Sequence, residues 1–138
     1  MLQSHLPGTL PVLRLWWIAA RWPGCFLKNP GKHRQEKKIF GRTLNAPFLL
    51  EIEITSVALK KHKQGLEALV AEGLASFKAM NVALHQIDLP QVLALALQYK
   101  LSAYDASYLW LAAELKAPLA TFDEKLADAA RIYLASLP

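Results

Sequence analysis

The stretch Leu101-Ser-Ala-Tyr-Asp-Ala-Ser-Tyr-Leu-Trp-Leu-Ala112, followed by Ala117-Pro-Leu-Ala-Thr-Phe-Asp-Glu-Lys-Leu126, decides the fold. Its first part reads as an apolar helix with a single acid, Asp105, at its head. Its second part opens on a short apolar run, Ala117 to Thr121, which reads as a buried strand. At Asp123 that run passes into a final helix reaching Leu134. Strands separated by helices imply a parallel sheet, because neighbouring parallel strands need a long crossover between them.

The same alternation continues upstream. Phe48 to Gln64 reads as a helix, with Leu49, Leu50, Ile52, Val57 and Leu59 as its apolar side. Lys60, Lys61 and Lys63 close its last turn, where cations complement the helix dipole. Leu66 to Met80 reads as a second helix and Val82 to Ile87 as a short strand. Pro90 opens a helix to Tyr99, at a position where its missing N–H costs little. The predicted fold class is α/β: a doubly wound parallel sheet with helices on both faces.

Composition narrows the function classes. The chain has 138 residues, 54% of them hydrophobic, which fits one domain with a core and argues against disorder. No apolar run has the roughly 20 residues that span a bilayer. The one cysteine, Cys25, supplies neither a disulfide framework nor a Cys-based zinc site, and suits a reducing cytoplasm. The four histidines have no metal-site spacing, Ser102 and Ser107 lack a patterned histidine, and no glycine loop of phosphate-cradling type occurs.

The net charge of +5 is unevenly placed. Residues 1–42 hold eight Lys/Arg against one acid, Glu36; residues 43–138 hold eight against ten. Three of the four tryptophans and four of the eight prolines also precede residue 31. Leu10 to Ala20 is apolar but interrupted by Arg14, with no basic leader or small-residue cleavage site. The expected organisation is a divergent segment 1–42 and a domain 43–138.

Three acids stand in apolar surroundings: Glu53 between Ile52 and Ile54, Asp105 at its helix head, and Asp123 after Pro-Leu-Ala-Thr-Phe. In a parallel sheet, strand carboxyl ends converge on one edge, where ligands bind. Singly, each acid has an ordinary reading. Asp105 serves the helix dipole, Asp123 caps a helix, and Glu53 is solvated like Glu51.

Together with their context they resemble the VapC-type PIN domains. Both C-terminal segments quoted above match that pattern, including the eighteen positions between Asp105 and Asp123. Ala46-Pro-Phe-Leu-Leu-Glu-Ile-Glu-Ile-Thr-Ser-Val57 resembles the family's Ala-Pro segment and glutamate helix, with Glu53 in the acid position and Ser56 where asparagine is common. The resemblance covers residues 44–138. It implies a PIN-like fold and a divalent-metal-dependent endoribonuclease of the toxin–antitoxin type, in which Glu53, Asp105 and Asp123 are catalytic and hold Mg2+ or Mn2+ and Thr121 supports them. Hard cations prefer carboxylate oxygens and water, and a bound metal can activate water against a phosphodiester. It further implies an RNA substrate, a small antitoxin partner, a homodimer and a cytoplasmic location. The apolar faces of Leu49 to Leu59 and Leu66 to Phe77 are candidate contact surfaces, or the domain's own core.

The family's first strand ends in an aspartate, and residues 1–50 supply no equivalent. The first strand is therefore expected to be degraded or missing. Codons suggest a reason. Trp16-Trp17-Ile18 is encoded TGG-TGG-AT, and the frame starting on the last base of each codon reads Val-Asp. The same shifted frame permits Leu-Ala across Arg21 to Pro23 and Glu-Pro-Gly across Lys28 to Gly31. A frameshift ending near Lys37–Lys38 would explain the tryptophans, prolines, Cys25 and basic excess together. The alternative function is an inactive PIN-like remnant or non-catalytic binding module that lacks the first metal-binding aspartate.

Overall fold

The computed structural model describes Val12–Leu13, residues 44–121 and residues 123–138. The proposed frameshifted segment therefore lies outside the described residues except at Val12–Leu13. The described chain runs β1 (Val12–Leu13), β2 (Asn45–Pro47), α1 (Leu50–Lys63), α2 (Glu67–Ala79), β3 (Ala83–His85), α3 (Leu89–Tyr99), α4 (Ala103–Glu114), β4 (Leu119–Ala120) and α5 (Glu124–Ser136).

All strand pairs are parallel, in the order β3-β2-β1-β4. The chain travels outward from β1 to β3, then returns past β1 to lay down β4. Crossovers of this kind are right-handed, so the reversal puts α1–α2 and α3–α4 on opposite faces. The expected doubly wound sheet is present. A strand is present at Val12–Leu13, between β2 and β4 and paired with both. Leu119 and Ala120 pair with Val12 and Leu13, and the strand expected over Ala117 to Thr121 contracts to those two residues.

The helices follow from local chemistry. In α1, Glu51 and Glu53 occupy the first turn and Lys60, Lys61, His62 and Lys63 the last, each sign against the favourable dipole end. Leu50, Ile54 and Ala58, spaced by four, form its buried stripe. The expected apolar side is corrected here: Ile52 is 69% exposed and Leu59 55%, because they lie off that stripe. Gly65, at φ 79, makes the turn into α2 with a backbone that a side chain would strain.

Asp88 caps α3 by accepting from the Gln91 N–H at 3.0 Å, so Leu89 precedes Pro90 inside the helix. Lys100, in the left-handed region at φ 53, ends α3. Ser102 then caps α4, accepting from the Asp105 N–H at 3.1 Å.

Helix α4 is the hub. Ala106 through Ala112 are all buried, as expected for a helix covered on several sides. It packs on α3, α5 and strands β1, β2 and β4. Trp110 donates from Nε1 to Gln91 Oε1 at 3.1 Å, which ties α4 to α3. Tyr108, Leu109, Leu119, Leu126 and Leu50 are among the fully buried side chains of one continuous core. No helix among the described residues is long and apolar enough to cross a membrane.

Candidate active site at the carboxyl edge of the sheet

Glu53 reaches the carboxyl edge because only Phe48 and Leu49 separate β2 from α1. The Phe48 N–H donates to the His85 carbonyl at 2.8 Å, which fastens this turn to the end of β3. Glu53 is half-buried, whereas Glu51 is exposed. The two acids differ because a step of two residues along the helix turns Glu53 toward α4. There the buried Tyr108 hydroxyl donates to Glu53 Oε2 at 3.5 Å, a long hydrogen bond.

Asp105 sits in the first turn of α4, three residues before Tyr108 and so on a neighbouring part of the same helix surface. From the first turn of α5, Lys125 Nζ donates to the carbonyl of Lys100, which ends α3 two residues before the cap of α4, at 2.6 Å. Asp105 is half-buried.

Asp123 follows β4 directly. It caps α5, Oδ1 accepting from the Leu126 N–H at 2.8 Å, so the ordinary capping role is real. Its own N–H donates to Thr121 Oγ1 at 3.1 Å. Thr121 is fully buried, and its hydroxyl fixes the turn that presents Asp123. Of the two readings of Thr121, packing and ordering of the turn, the structure contains both.

The order β3-β2-β1-β4 reverses direction between β1 and β4, and in doubly wound sheets the crevice at such a point is where ligands bind. Asp123 follows the strand at that point, while Asp105 lies in the first turn of α4 and Glu53 in the first turn of α1 after β2. Among the described residues, however, no group of three or more His, Cys, Asp or Glu is gathered closely enough to hold a metal ion. Residues 14–35, which follow β1 in sequence, contain no acid.

A family model described as PIN domain matches residues 26–132. The chain belongs to the PIN-domain family. The matched span contains Glu53, Asp105, Thr121 and Asp123, and the fold is of the nuclease type. No curated protein matches the chain.

PIN domains typically depend on divalent metals, and the donor set of this one suits that need in kind. Carboxylate oxygens are what hard cations take, and none of the three acids is fully exposed. His85 is not part of that set: its Nε2 pairs with Asn45 Oδ1 at 2.8 Å across β2 and β3.

Sequence reading missed Tyr108 as a neighbour of Glu53. The signal was available in its three-residue spacing from Asp105. It also passed over the Ser102-x-x-Asp105 pattern, which announces a capped helix start.

Proposed function

We propose that this PIN domain is a divalent-metal-dependent endoribonuclease of the VapC toxin type, with Glu53, Asp105 and Asp123 as the acids that would hold Mg2+ or Mn2+. What supports the reading is the family match, together with three acids inside it that open three separate helices of the doubly wound fold: Glu53 in the first turn of α1, Asp105 in the first turn of α4 and Asp123 as the cap of α5. A bound cation would supply an activated water and charge neutralisation at the phosphate. Thr121 and Tyr108 would orient Asp123 and Glu53. As partners we propose an RNA substrate, a small antitoxin covering the acidic edge, and a second copy of the chain. Ile52, Leu59, Leu66 and Leu74, all exposed on α1, α2 and the turn between them, are the apolar contacts available for either protein partner.

A second reading is supported by two observations: the absence of a gathered metal-binding group among the described residues, and the absence of an acid over residues 14–35. On this reading the chain as written is a non-catalytic remnant, and the frame-shifted Val-Asp over Trp16 to Ile18 is the lost ligand. Loss of one ligand of a small cluster exceeds the 10- to 100-fold effect, in order of magnitude, of losing a supporting residue around a metal.

One comparison decides. Mn2+-dependent cleavage of RNA is measured for the chain as written and for a frame-corrected version. Cleavage by the corrected chain alone supports the nuclease reading and the frameshift together. Cleavage by both shows that another residue replaces the first aspartate. Cleavage by neither removes the nuclease reading.

A further inference from the structure

The basic residues that close α1, Lys60, Lys61 and Lys63, lie seven to ten residues along it from Glu53. That distance is roughly 10–15 Å of helix rise from the acid. Two other lysines sit at the edge itself. Lys125 is two residues beyond Asp123, and Lys100 is two residues before the cap of α4. Both are exposed, and the Lys125 Nζ to Lys100 carbonyl bond holds the first against the backbone of the second. An ammonium carries three N–H donors, so this bond leaves Lys125 capacity for an anion.

On the other side of Asp105 stands Tyr104, 62% exposed. It precedes Tyr108 by four residues, so the two rings share one face of α4. Tyr108 is buried and bonded to Glu53, and Tyr104 is one turn farther toward the helix head and exposed. Helical side chains lean toward the N-terminus, which carries the Tyr104 ring beyond the last turn. An exposed ring beside an acidic site offers no packing benefit to the fold, but matches what an unpaired base requires.

We propose that Tyr104 and Lys125 hold the RNA strand on either side of the acids, Tyr104 by stacking on an unpaired base and Lys125 by pairing with a backbone phosphate. The inference rests on the nuclease reading for the identity of the ligand. A base paired in a duplex has no face to offer Tyr104, so a duplex serves as a control for stacking.

The test is binding of a short fluorescein-labelled single-stranded RNA, followed by anisotropy in EDTA so that no cleavage occurs. Y104A weakens binding about tenfold, while Y104F, which keeps the ring, binds as the parent does. K125A lowers the slope of log affinity against log salt by about 0.7, and Y104A leaves that slope unchanged. A duplex of the same sequence binds less tightly than the single strand. Parent-like binding by both Y104A and K125A overturns the proposal, as does a parent protein that binds no RNA. Cleavage with Mn2+ is read separately. Tyr104-dependent binding with cleavage by neither the parent nor the frame-corrected chain removes the nuclease reading and leaves this surface standing.

Discussion

Asp123 is asked to do two things, and substitution can separate them. Its carboxylate caps α5 through the 2.8 Å bond from Leu126 N–H, and it is proposed to ligate a metal. Alanine removes both roles. Serine and asparagine keep a capping oxygen and remove the negative charge. Losing a cap costs about 1 kcal/mol, whereas Ser and Asn cap about as well as Asp, with a dipole penalty of roughly 0.5 kcal/mol for the lost charge. For a chain of this size D123A should therefore melt about 4 °C below the parent. In urea its midpoint should fall by about 0.5 M. D123S and D123N should retain most of the lost stability. Metal binding sorts the variants differently. Mn2+ at a hundredfold excess over its dissociation constant stabilises a protein by about 2.7 kcal/mol, and all three variants should lose most of that gain along with cleavage. The assay is a melt of each variant with and without Mn2+, beside RNA cleavage. If D123S falls as far as D123A, the carboxylate is not acting as a cap. If D123N is still stabilised by Mn2+ and still cleaves, Asp123 is not a ligand.

Three further outcomes follow from the packing. T121V removes the acceptor for the Asp123 N–H at a fully buried position and should cost about 1–3 kcal/mol, while T121S stays near the parent; urea titration of both checks this. L109A empties a fully buried site on the central helix and should cost about 2–5 kcal/mol in the same titration, enough to unfold a marginal domain. R131A breaks the 2.6 Å pair with Asp128 on the exposed face of α5, and a shift in its thermal midpoint corresponding to more than about 1 kcal/mol would contradict the solvent-screened view of that pair.

Much of the fold was legible because its helices are long and periodic. The four helices over residues 50–99 and 103–114 fall where apolar spacing puts them. The weaker readings failed for identifiable reasons. Hydrophobicity alone assigned Ile52 and Leu59 to the inside of α1, but a stripe is defined by spacing, and Leu50, Ile54 and Ala58 keep the closer register. Ala117 to Thr121 reads as a five-residue strand by composition, yet only Leu119 and Ala120 pair, with Val12 and Leu13, because pairing is set by the neighbouring strand and not by composition. Val12–Leu13 itself carries no strand period that a sequence window could detect.

By itself, the sequence determined the α/β class, the identity of the three acids and their order along the chain, because these depend on local spacing and on a motif of fixed length. Only the tertiary structure decided that Glu53 faces the buried Tyr108 while Glu51 faces water. It alone revealed that Lys125 reaches the carbonyl of Lys100 at the end of α3, and that Val12–Leu13 pair between β2 and β4. Those outcomes depend on which surfaces meet. Residues 53 and 108, or 100 and 125, are brought together by the return of the chain across the sheet, and no spacing within either segment encodes that encounter.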